Sequence, residues 1–139
     1  MRRFMLAFLA IVVFPASARA QTALREEVGT LLAAMVTALK ADPATVAKYY
    51  TDDAKILGGG QRIEGRQQID DYWRRITGST DWKLEVLEVG GGGETPWVRG
   101  ISTLVGQNGR VSKTEFVGLL KRGPAGLKFY VDMYVLASP

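Results

Sequence analysis

Apolar residues Leu24, Val28, Leu31, Leu32, Met35 and Leu39 recur at three- and four-residue steps through residues 22–41, which places them on one face of a helix. Asp42-Pro43 then offers an N-cap followed by proline at the first helical position, where its missing N–H costs nothing. A short second helix through Val46, Tyr49 and Tyr50 is expected from there. Residues 54–57 and 61–63 are short strand candidates around Gly58-Gly59-Gly60, a triplet that tolerates a tight turn. A third helix follows Gly65, with Ile69, Tyr72, Trp73 and Ile76 on one side. After Gly78 the period changes to two. Residues 81–89, 97–106, 111–122 and 127–136 are four long strand candidates, separated by glycine-rich turns of which Asn108-Gly109 is the strongest hairpin signal. Helices first and a meandering antiparallel sheet afterwards predict an α+β fold rather than repeated βαβ units. Helices gathered on one face of such a sheet bury an apolar layer and leave room for a cone-shaped cavity.

Residues 1–20 carry a different pattern. Arg2 and Arg3 precede an uncharged apolar run, Phe4 to Phe14, and Ala18-Arg19-Ala20 supplies the small-x-small site of a cleavable signal peptide. Spanning hydrocarbon takes about 20 apolar residues, roughly twice this run, so no stable membrane anchor is expected. No cysteine follows to carry a lipid. The expected product is an extracytoplasmic protein, periplasmic or secreted, made of one domain over residues 21–139. Arg2, Arg3 and Arg19 leave with the leader, so eighteen basic residues become fifteen against fourteen acidic ones. A near-neutral domain removes the electrostatic case for nucleic acid.

The chain contains neither cysteine nor histidine. Disulfides are therefore impossible, and so is nucleophile activation of the Ser-His or Cys-His kind. Zinc sites draw on the same two residue types, so no metal and no cofactor is expected. Acid–base work falls to Asp, Glu, Tyr, Lys or Arg.

The run Tyr49-Tyr50-Thr51-Asp52-Asp53-Ala54, then Ile63-Glu64-Gly65-Arg66 and Ile69-Asp70-Asp71-Tyr72-Trp73, and finally Gly126 to Tyr134, resembles the nuclear transport factor 2-like superfamily in its SnoaL-like and ketosteroid isomerase-like branch. The resemblance spans the mature chain. It implies a strongly curved antiparallel or mixed sheet wrapped on three helices, a pocket inside, and a homodimer. Such a pocket takes a small hydrophobic or amphipathic molecule. In the isomerase branch the catalytic base falls at or next to Gly58, and no carboxylate stands between Ala54 and Gly60. The cyclase and hydrolase branches carry an acid in the closing strand, which Asp132 matches. The hydrolase type adds an arginine, for which Arg99 stands, and a second aspartate two residues on, where this chain has Ile101.

Asp132 is thus the candidate catalytic residue, with Tyr130 as a hydrogen-bond donor and Arg99 as an electrostatic partner. Strict alternation along residues 127–136 sets Leu127, Phe129, Val131, Met133 and Val135 on one face and Lys128, Tyr130, Asp132 and Tyr134 on the other. The apolar set reads as core, which turns Asp132 outward; the resemblance turns it into the pocket. Both placements stand open. Tyr50, Trp73 and Trp97 are candidate ligand-binding aromatics, with plain core packing as the competing role. Glu115 reads as an ion-pair partner of Lys113 or Arg99, and Asp52-Asp53 as a solvated turn. Three function classes follow: a small-molecule-binding module, an isomerase, cyclase or hydrolase using Asp132, and a structural homodimer.

Overall fold

The computed structural model describes residues 16–93 and 95–137. Helix α1 (Ala16–Ala41) is followed by a 3-10 helix (Pro43–Tyr49), strands β1 (Tyr50–Gly58) and β2 (Gln61–Glu64), helix α2 (Gly65–Arg75), and strands β3 (Ser79–Gly90), β4 (Trp97–Gly106), β5 (Val111–Gly123) and β6 (Gly126–Leu136). The charged start and apolar run expected of a leader fall mainly in residues 1–15, outside the described residues. Ala18-Arg19-Ala20 lies in the first turns of α1, with exposed side chains. No helix among the described residues is long and apolar enough to cross a membrane.

The six strands form one open mixed sheet in the order β2-β1-β6-β5-β4-β3. β1 runs parallel to β6, and every other neighbouring pair is antiparallel. This is the α+β architecture that the change of period predicts. The apolar stripe of α1 is buried against the sheet: Val28, Leu32 and Met35 are nearly inaccessible. Each such side chain contributes about 1.5–3 kcal/mol relative to exposure. Arg25 ties α1 to the edge strand, donating to the Val86 and Leu87 carbonyl oxygens at 3.2 and 2.9 Å.

Asp42 caps the 3-10 helix as expected, its Oδ1 accepting from the Ala44 N–H at 3.0 Å. The segment then enters β1 at Tyr50, four residues earlier than the pattern predicts. Asp52 and Asp53 are consequently strand residues rather than a turn. They stay exposed by pairing outward, Asp52 with Arg66 at 3.2 Å and Asp53 with Lys121 at 3.0 Å. Arg66 at the start of α2 also donates to the carbonyl oxygens of Ala47 and Tyr50, both at 2.6 Å. One guanidinium therefore holds α2, the 3-10 helix and the first residue of β1 in a fixed relation.

A β-bulge in β6 decides the site. Leu120 pairs with Phe129 and Leu119 with Val131, which leaves Tyr130 as an extra residue on β6. Because side chains alternate with period two, one inserted residue exchanges the faces of everything after it. Leu127 and Phe129 point into the core, at 5% and 2% exposure. Beyond the bulge it is Asp132 and Tyr134 that face inward, while Met133 and Val135 are exposed on the outer face. The continuous alternation read from the sequence breaks at Tyr130, and with it the assignment of Val131, Met133 and Val135 to the core.

Candidate functional site

A cavity of about 300 Å³ lies between the concave face of the sheet and the helices. Leu32 and Met35 of α1 close one side, and Tyr72 and Trp73 of α2 close another. Phe116 and Phe129 form part of the sheet wall, with Trp82 and Leu84 from β3. Ser112 and Leu136, both exposed, stand at the rim. Ring contacts run across the inner wall: Tyr50 lies 5.5 Å from Phe129 and 6.0 Å from Trp73, and Trp73 lies 5.5 Å from Trp82, centroid to centroid. Such pairs add about 0.5–1.5 kcal/mol each beyond burial.

The polar centre is Asp132. The Tyr50 hydroxyl donates to Asp132 Oδ2 at 2.8 Å. Burial pushes the Asp132 carboxyl up to about 6, against the opposing pull of the Tyr50 hydrogen bond, which favours the ionised form. Tyr50 itself is raised well above the ordinary phenol range, first by burial and then by the neighbouring carboxylate. Tyr72 is also raised, by burial first and then by the nearby Tyr134 hydroxyl and Asp132. The Trp73 indole N–H is buried and completes no hydrogen bond of good geometry among the described residues, although it lies near enough to the Tyr50 hydroxyl to favour its ionisation slightly. The cavity therefore presents one carboxylate, three phenols and the hydroxyls of Ser102, Ser112 and Thr114 in a wall of aromatic and aliphatic side chains.

Two glycines make that arrangement possible. Gly118 faces Asp132 across the β5–β6 ladder, and a Cβ there would sit 2.3 Å from the Phe129 ring. Gly58 pairs with Tyr134, whose ring lies over the space a side chain would take: a Cβ would meet it at 2.6 Å. The position that the resemblance associates with the isomerase base is thus covered by the Tyr134 ring.

Of the residues singled out in the sequence, the fold brings Asp132, Tyr50 and Trp73 to the cavity. It carries Arg99, Trp97 and Tyr130 elsewhere. Arg99 and Trp97 alternate with the inward residues Val98 and Gly100 on β4, so they project from the outer face. There Arg99 pairs with Glu115 at 2.6 Å and Glu88 at 3.0 Å, which raises its own pKa and lowers that of Glu88. The Glu115 pairing follows the cross-strand reading. Trp97 lies over Gly90, where a Cβ would come within 2.4 Å of its ring. Tyr130, the bulge residue, has Lys121 Nζ 3.6 Å from its ring centroid. Strand alternation sets Tyr134 on the same face as Asp132, and helix periodicity sets Tyr72 beside Trp73, but neither pattern marks them as site residues. Period two from Asp132 and adjacency to Trp73 were the available signals.

No protein-family model matches the chain, and no curated protein sequence does. Its likeness is to solved structures. A nuclear transport factor 2-like protein of unknown function from Shewanella oneidensis superposes with a TM-score of 0.70 at 12% identity, over 80% of this chain and 98% of that one. A candidate dehydratase of the nuclear transport factor 2-like family from Streptomyces avermitilis gives 0.69 at 14% identity, over 86% and 99%. A nuclear transport factor 2-like protein with a cystatin-like fold from Novosphingobium aromaticivorans gives 0.64 at 20% identity, over 88% of each chain. Helices on the concave side of a curved six-stranded sheet, an internal cavity and these superpositions agree: the chain has the nuclear transport factor 2-like fold.

Proposed function

We propose that this protein is an exported small-molecule-binding domain that holds an apolar or amphipathic ligand in its cone-shaped cavity. The observation that carries the reading is the cavity itself: a mostly aromatic and aliphatic wall with Asp132, Tyr50, Tyr72 and Tyr134 as its polar centre and the hydroxyls of Ser102, Ser112 and Thr114 on the sheet side. A wall of that kind binds by burying apolar surface and orients its ligand by a few polar groups. Trp73 and Trp82 line the cavity and report its occupancy. Titration of a Trp97→Phe variant with 2-phenylethanol and related ring alcohols and ketones is expected to shift or quench the tryptophan emission saturably. Thr114→Trp, which fills the cavity from β5, is expected to weaken that binding at least tenfold. Emission that stays unchanged throughout, in folded protein, would refute the reading.

A catalytic second reading rests on the same pair. A carboxyl with a pKa near 6 exchanges protons readily near neutral pH, which suits Asp132 to general acid–base work on a ligand beside it. General acid–base groups contribute about 10²–10⁴-fold, so loss of turnover of that size in Asp132→Asn is its expected mark.

Export and self-association complete the proposal. The tripartite pattern of residues 1–20 supports the first. For the second, Met133 and Val135 stand 40% and 66% exposed on the outer face of the sheet beside Arg99 and its two carboxylate partners. An apolar strip flanked by both signs of charge is self-complementary across a two-fold axis, and a second copy of the chain is the partner it fits.

A further inference from the structure

Asp132 faces the phenols of Tyr50 from β1, Tyr72 from α2 and Tyr134 from its own strand, with the Trp73 indole behind them. Only Tyr50 bonds to it, and through Oδ2 alone; Oδ1 accepts no hydrogen bond among the described residues. No lysine or arginine lines the cavity among the described residues. On the outer face of the same sheet, by contrast, Glu115 and Glu88 share the Arg99 guanidinium. Asp132 is half-buried, so its carboxylate keeps part of its hydration, but the protein offers it one neutral phenol donor and no counter-charge.

We propose that the cavity is selective for small organic cations, in particular a protonated amine on an apolar body, with Asp132 as the counter-ion. The inference rests on the small-molecule-binding reading above and names the ligand class of that site. An ammonium placed against the free Oδ1 supplies the charge the site lacks. The surrounding rings of Tyr50, Tyr72 and Trp73 attract a cation through their negative faces, an effect that strengthens when water is excluded. The remaining aliphatic and aromatic wall takes the apolar body. At about 300 Å³ the cavity lies at the small end of ligand pockets, which suits a body of about one ring. A neutral ligand leaves the carboxylate as it was, and an anion adds a like charge beside it.

Three probes of similar size separate these cases: 2-phenylethylammonium, 2-phenylethanol and 3-phenylpropanoate, titrated calorimetrically into the intact protein at pH 8. The ammonium is expected to bind at least tenfold more tightly than the alcohol, and the carboxylate weakest of the three. In Asp132→Asn the preference for the ammonium over the alcohol is expected to fall below twofold. Lowering the pH of the wild type from 7 to 5 neutralises Asp132 while the amine stays protonated, so the preference fades by the same route. The pH series stands by itself if Asp132→Asn does not fold: a preference unchanged between pH 7 and 5 would overturn the inference. Alcohol binding equal to or tighter than ammonium binding would also overturn it while leaving the small-molecule reading intact. Failure of all three probes to bind folded protein would remove both.

Discussion

Above pH 6 the folded protein holds Asp132 mostly ionised in a place where burial disfavours the charge. Its folded pKa lies above the ordinary carboxyl value, so the proton is bound more tightly in the native state than in the unfolded chain. The resulting stabilisation is fully present below about pH 4 and is lost as pH rises through about 6. Asp132→Asn removes this dependence. The variant is expected to be more stable than wild type at pH 7.5, by on the order of 2 kcal/mol, with the difference shrinking to near zero at pH 4. Urea unfolding of both proteins across that range measures it, and a constant difference would show that Asp132 does not titrate in the cavity as described. At this scale the sequence was partly legible. Residue type and family resemblance point to Asp132, Tyr50 and Trp73. The same signals point to Arg99, Trp97 and Tyr130, because charge and aromaticity say what a side chain can do, not which face of a sheet it leaves from.

The bulge at Tyr130 is the element that converts a surface aspartate into a cavity aspartate. Uninterrupted alternation would put Asp132 on the face opposite Phe129, whereas the inserted residue puts both on the inner face. The inner face is crowded at that level, and Gly118 supplies the space. Gly118→Ala is expected to push the Phe129 ring toward the Tyr50–Asp132 pair, since the added Cβ would lie only 2.3 Å from the ring. Overpacking of this kind costs about 1–3 kcal/mol, and it is expected to narrow the cavity and weaken ligand binding in step. Thermal melting with a titration on the same variant checks this, and a melting point equal to wild type would show that the ring is free to move away. Element boundaries were legible where turn chemistry is strong, as at Asp42-Pro43 and Asn108-Gly109. They were not legible at Tyr50–Asp53, where β1 pairs with β6 at Tyr50 and again from Lys55, and the two aspartates in the irregular stretch between are held by Arg66 and Lys121.

For the whole molecule, one native mass measurement on protein recovered from outside the cytoplasm addresses both export and self-association. The expected species is a dimer of chains beginning at Gln21, and Val135→Glu is expected to shift it to monomer with the same mature N-terminus. A wild-type monomer would refute pairing through the outer face, and retention of residues 1–20 would refute cleavage after Ala20. The open sheet has β2 and β3 as its edges, and α1 lies along the β3 side through Arg25. Pairing through the exposed Met133 and Val135 leaves the cavity, on the opposite side of the sheet, free to take its ligand.

Periodicity and turn residues by themselves determined the element order and the α+β class, because a period of 3.6 or 2 is a property of neighbouring residues and survives without knowledge of the rest. The lack of histidine and cysteine likewise bounds the chemistry from the sequence alone. Tertiary structure decided which side of the sheet each strand residue occupies. That choice turns on single inserted residues such as Tyr130, on glycines such as Gly118 and Gly58 that admit a ring from a neighbouring strand, and on the Arg66 guanidinium that fixes Tyr50 where β1 begins. Each of these is a contact between segments far apart in the chain, so the pairing of Tyr50 with Asp132, 82 residues away, is written only in the folded molecule.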